Sequence, residues 1–234
     1  LDDYYSAGYF LIRKSKRPEW LDEPRGLVPD EIISLEKEFC PKFNVGWTWT
    51  PGDKPAALDF GIDEAKWAEF KHWCTDNHRT RNIEVWSMLR STDVARRVMK
   101  QFIPESKWDG LMIIGAGLHK SSEPDWRDPY GTEGVETRIL ECLPMEKGGQ
   151  VLGFDVSSYE AHNFDHTWFS HNHHKGVFQE LGVRPGAYGL LQTREEAILA
   201  RDYADAHDRS VSGYEYWLLV AYPLIPPTPL SPRH

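Results

Sequence analysis

Apolar residues along this chain switch between a period of two and a period near four in no regular order, and that irregularity constrains the fold most. Tyr9 to Arg13 reads as a first strand. Pro29 opens a short helix with Ile32, Ile33 and Phe39 close to one face, and Pro41 ends it. Val45, Trp47 and Trp49 then alternate with small or polar neighbours as a strand does, up to the turn Pro51-Gly52-Asp53. A longer helix spans Asp63 to Asn77, with Trp67, Phe70 and Cys74 on one side and Trp73 flanking them. Ser91 is the N-cap of another, which turns Val94, Ala95, Val98 and Phe102 inward and closes at Pro104. Leu111 to Ile114 is a buried strand, and Gln150 to Ser157 alternates as a further one. Thr193 with Glu196 forms a capping box for a helix to about Ala206, and Tyr216 to Tyr222 is a last buried strand.

Strands and helices in mixed order, without a repeated strand–helix–strand unit, favour an α+β domain over a doubly wound sheet. The expectation is a single domain over residues 1–222, with a mixed sheet packed by three to five helices. Five prolines between Pro223 and Pro232 bar the segment 223–234 from helix or sheet interior and make it an extended tail. A length of 234 residues with 40% hydrophobic residues suffices for one core.

Charge narrows the partners. The formal net charge is −9, and the basic residues are dispersed, the densest run being Arg13 to Arg17. Nucleic-acid binding draws its affinity from clustered Lys and Arg, so a nucleic-acid partner is not expected. No apolar run is long enough to span a bilayer, and no signal-like segment opens the chain. Leu1 in place of Met leaves room for residues upstream. Cys40, Cys74 and Cys142 are odd in number and far apart, which fits a reducing, cytoplasmic setting and supplies no thiolate zinc site.

Motifs for common chemistries are missing. Gly115-Ala116-Gly117 follows a strand, but Lys120 stands where a dinucleotide fingerprint needs its third glycine. P-loop, nucleophile-elbow and HExxH patterns do not occur. What does stand out is a run of five histidines in thirteen residues: His162, His166, His171, His173 and His174. His162 and His166 would share a helix face; His171 and His173 would share a strand face. Either arrangement could present two imidazoles to one divalent metal ion, with Asp165 or Asp155 as the oxygen ligand. The plainer reading is a polar loop leading to a helix capped by Ser170 or Asn172, with no cofactor.

Of the ten tryptophans, Trp47, Trp49, Trp67 and Trp73 fall at core positions. Trp126, among Glu123, Asp125, Arg127 and Asp128 in a loop from Ser121 to Glu133, and Trp168, among the histidines, read instead as contact residues for a partner.

The C-terminal third resembles small bacterial proteins that act as immunity partners of secreted or contact-delivered toxins. The likeness is carried by Val151-Leu152-Gly153-Phe154-Asp155-Val156, by Gly186-Ala187-Tyr188-Gly189-Leu190 and by Trp217-Leu218-Leu219-Val220. These are strand and turn residues, so no functional residue carries over. The resemblance implies a cytosolic binding protein that occludes a toxin's active site. An acidic surface over Glu123, Asp125, Trp126, Asp128 and Trp168 would suit a basic toxin domain. That inhibitor reading leads; a metal-dependent hydrolase using His162, Asp165, His166, His171 and His173 is the alternative.

Overall fold

The computed structural model describes residues 1–36, 39–40, 42, 58–80, 82, 88–122, 139, 141–160, 163–211 and 213–225. They form a single α+β domain. Its main strands are β1 (Tyr4–Arg13), β4 (Leu111–His119), β5 (Gln150–Glu160), β6 (Asn163–Thr167) and β7 (Tyr214–Tyr222), ordered β1-β4-β7-β5-β6. Every pairing among them is antiparallel, where a mixed sheet was expected. Two short strands, β2 (Ser15–Lys16) and β3 (Glu31–Ile32), pair separately.

Both faces of the sheet are covered, which is why its strands read as near-continuous apolar runs. Tyr216, Leu218 and Val220 of β7 join Leu11, Ile113 and Val156 in the larger core. Their neighbours Trp217 and Leu219 point the other way, into a second core with Phe10, Ile114, Ala116 and Phe164. The larger core is roofed by helices α1 (Glu64–Arg79), α2 (Thr92–Phe102), α3 (His173–Leu181) and α4 (Arg194–His207).

Local chemistry starts three of these helices. Asp63 accepts from Lys66 N at 2.8 Å and Ser91 from Val94 N at 3.2 Å, as N-caps do. The buried face of α2 is Thr92, Val94, Ala95, Val98, Met99 and Phe102, and Phe102 meets Phe70 of α1 edge-on at 4.9 Å. Both halves of the Thr193–Glu196 capping box are made at the start of α4. Along α4 the buried positions are Ala197, Ala200 and Ala204, small enough to bring its backbone close to the sheet.

One expected element is absent. Residues 29–36 form no helix: Glu31 and Ile32 are extended, and Ile32 and Ile33 enter opposite cores, as neighbours on an extended chain do. Two adjacent β-branched residues favour this. Backbone bonds from Ile33 N to Tyr188 O and from Leu35 N to the Asp155 carboxylate fix it. The expected strand at 45–49, the loop 123–133 and the tail from 226 onward lie outside the described residues.

Candidate metal centre

The segment from His166 to His174 is not a solvated loop. Trp168 and Phe169 are fully buried, and His173 and His174 are 6% and 0% exposed. The chain leaves β6 at Thr167, turns through Ser170 and His171, and enters α3 at His173 through Asn172 in the left-handed region (φ 59°). Asn172 occupies the N-cap position, yet its side chain makes no capping bond. Ser170 does not cap the helix either; its hydroxyl donates to Glu36 Oε2 at 2.5 Å.

Two buried carboxylates hold this turn. Glu36 Oε2 also accepts Thr167 N at 2.9 Å. Asp155 accepts from Thr167 Oγ1 at 3.1 Å, Leu35 N at 2.7 Å, Ser34 Oγ at 3.2 Å and Ser157 Oγ at 3.3 Å. Burial pushes the Asp155 carboxyl up, against these hydrogen bonds, which favour its charged form. Its oxygens are thus engaged in holding segments together rather than in meeting the histidines.

The carboxylate that meets them is Asp208, the C-cap of α4. One ligand atom each from His166, His171 and Asp208 all lie within 4.8 Å of one another. His171 Nε2 and His173 Nε2 both stand 3.6 Å from Asp208 Oδ2. The rings of His166 and His171 meet edge-on at 4.8 Å, and those of His171 and His173 stack at 5.7 Å. Asp208 is itself fixed: Oδ1 accepts Ser210 N at 2.8 Å and Ser210 Oγ at 2.5 Å, and Oδ2 accepts Tyr214 Oη at 2.9 Å. Burial pushes its carboxyl up, but the Ser210 and Tyr214 hydrogen bonds and the nearby His171 outweigh that and hold it well below the usual carboxylate range.

The two buried histidines differ. Burial lowers His173, with the Asp208 carboxylate pulling the other way. His174 is pushed down to about 4 by burial, with Lys175 adding to it. His174 faces Phe169 at 5.1 Å, and neither of its ring nitrogens has a hydrogen-bond partner among the described residues. It is a core residue.

Of the residues read from sequence as metal ligands, the structure brings His166 and His171 together with Asp208, and sets His173 against His171 and Asp208 but outside that three-residue group. His162 lies outside the described residues, and Asp165 is placed only as part of β6. Asp208 was missed. A signal for it exists: a carboxylate ending a helix opposes the helix dipole, and such a residue needs another reason to be there. Of the expected contact residues, Glu123, Asp125, Trp126 and Asp128 lie outside the described residues. Trp168 is corrected: at 0% exposure, beside Phe169 at 5.1 Å, it belongs to the core and offers no surface. Among the described residues the exposed tryptophan is Trp20, at 51%, resting edge-on against Phe39.

No family model, curated protein or solved structure matches the chain. No helix among the described residues is long and apolar enough to cross a membrane.

Proposed function

We propose that this chain is a metal-dependent enzyme of the hydrolytic class, in which His166, His171 and Asp208 hold one divalent ion. A single observation carries the reading: three ligand atoms, from β6, from the turn before α3 and from the end of α4, converge within 4.8 Å. Donors sharing an ion tetrahedrally at about 2.0–2.1 Å stand roughly 3.3–3.4 Å apart. Closing the widest gap takes up to roughly 1.4 Å, which falls to His171, whose side chain is 39% exposed. Two neutral imidazoles and one carboxylate leave a divalent ion with net positive charge, and the ion would supply a hydroxide near neutral pH by acidifying a bound water. Elemental analysis of tag-free, chelator-free protein tests this. About one equivalent of metal, absent from a His166→Ala/His171→Ala variant, supports it; metal-free wild-type protein refutes it.

A second reading keeps the immunity-type inhibitor, acting on a basic toxin domain. What supports it is the net charge of −9 together with exposed Glu195, Asp202 and Asp205 along α4. Its test is affinity for a basic partner: charge reversal across Glu123, Asp125 and Asp128 with Trp126→Ala would weaken binding if that loop makes the contact, and unchanged affinity would remove it.

A further inference from the structure

We infer that His173 is a fourth protein ligand of this centre, and that the ion it selects is a first-row transition metal of the zinc group, not magnesium or calcium. This rests on the metal-centre reading above and adds to it the coordination set and the chemical class of the ion.

The argument starts from an unmet need. His173 is 6% exposed, and its Nε2 has no hydrogen-bond partner among the described residues. A buried polar atom left without a partner costs about 1–3 kcal/mol, so it calls for an explanation. Asp208 Oδ2 stands 3.6 Å away, longer than a hydrogen bond. Oδ2 is already taken by Tyr214 Oη at 2.9 Å. Yet 3.6 Å is close to the spacing of two donors on one ion, roughly 3.3–3.4 Å in a tetrahedron with bonds of 2.0–2.1 Å. His171 Nε2 stands at the same 3.6 Å from the same oxygen. Two imidazole nitrogens thus face one carboxylate oxygen at ligand spacing rather than hydrogen-bond spacing.

The surroundings orient the set. Tyr214 packs edge-on against the His173 ring at 5.7 Å while its hydroxyl holds Asp208. Hydrogen bonds to ligand carboxylates of this kind fix their direction and are a regular feature of metal sites. Position on α3 matters too: His173 is the first helical residue, so the helix axis anchors its ring more firmly than the turn anchors His171. His173 is the interior ligand, and His171, 39% exposed at its side chain, is the outer one.

Three nitrogens and one oxygen are borderline donors. Such a set suits zinc, cobalt, nickel, copper or iron, whereas magnesium and calcium take oxygen donors. With four protein ligands, a water would have to take a fifth position, an expansion that zinc makes in some transition states.

The test is calorimetric titration of the full-length, chelator-treated wild-type chain with zinc, cobalt(II) and magnesium chlorides, beside His173→Ala and His173→Gln. The expected result is one zinc or cobalt per chain, no magnesium binding, and affinity weakened in both variants by at least the ~10–100-fold that loss of an outer-shell partner brings. Because a buried substitution can disturb folding, long-range ¹⁵N–¹H spectra of the wild-type imidazoles give an independent readout: the His173 Nε2 resonance shifts on adding zinc. Zinc binding with unchanged affinity in both variants and an unmoved His173 resonance would overturn the fourth ligand while leaving the metal centre standing. Magnesium binding as tightly as zinc would overturn the class of ion. No ion bound by the wild type would remove the centre altogether.

Discussion

Replacing Asp208 by asparagine isolates the charge on which the cluster turns, and the cost can be worked from its bonds. The carboxylate accepts Ser210 N, Ser210 Oγ and Tyr214 Oη, with two imidazoles 3.6 Å from Oδ2. Asparagine keeps one oxygen, which can go on serving Ser210, but sets an NH₂ where Oδ2 met the Tyr214 hydroxyl. One charge-assisted bond to a buried partner is lost, about 1.5–3 kcal/mol. The pH profile gives the sharper check. Because the folded-state pKa of Asp208 is depressed, its contribution is fully present above the unfolded value of about 4. It is lost as the pH falls toward the lowered folded value, at about 1.4 kcal/mol for each unit below 4. Urea unfolding of chelator-treated wild type and Asp208→Asn should therefore differ by about 1.5–3 kcal/mol at pH 7, and by little near pH 2. A difference under about 0.5 kcal/mol at pH 7, or one that does not shrink with acid, would refute the assignment of Asp208 as a fixed, ionised hub.

Three further outcomes follow from the same contacts. Gly176→Ala should destabilise by about 1–3 kcal/mol in thermal unfolding, because a Cβ on α3 would overlap the Tyr203 ring on α4, and Tyr203→Ala in the same chain should recover part of the loss. Glu36→Ala should lose about 1–3 kcal/mol in urea by removing the acceptor that Thr167 N and Ser170 Oγ share, with Thr167 N keeping only its 3.1 Å bond to Ser170 Oγ, while Glu36→Gln, which keeps an acceptor oxygen, should lose less than half of that. His174 should titrate near 4 by NMR. Since that is below its ordinary value of about 6.5, its neutral form supports the fold fully above pH 6.5 and loses that support as the pH falls toward 4, so His174→Leu should flatten the acid limb of stability between those values.

What could be read from the sequence was what neighbours in sequence decide. Ser91 and Thr193 cap the helices that their side chains announce, and the β7 residues from Trp217 to Val220 are as buried as an unbroken apolar strand implies. Helix periodicity failed at residues 29–36, where Ile32 and Ile33 obey a tertiary demand: Tyr188 O and Asp155 supply bonds that an extended backbone needs and a helix would refuse. The histidine spacing misled for a related reason. Neither the helix shared by His162 and His166 nor the strand shared by His171 and His173 was needed, since a turn between β6 and α3 folds His171 back toward His166. Asp208 lies 34 residues beyond His174, and only the packing of α3 against α4 brings it in. Gly176, which lets the Tyr203 ring lie against α3, is the residue that makes that packing close.

Several departures from local rules meet at this place. Asn172 takes a left-handed conformation at a helix start without making a capping bond. Asp208 sets a carboxylate against the negative end of α4. His173 is buried with an unmet Nε2. Each alone is a modest cost, of the order of 1 kcal/mol, and elsewhere the described chain caps its helices with matching residues. Sequences keep such conflicts where something other than folding stability holds them. A shared ion would resolve two of them together: it gives Nε2 a partner and places positive charge beside the carboxylate at the helix end. If the centre takes no ion, the coupling between Asp208→Asn and His173→Leu, whose side chains already stand 3.6 Å apart, should be the same with and without zinc. Coupling among them above about 0.5 kcal/mol that appears only when zinc is added is the pattern the metal centre requires.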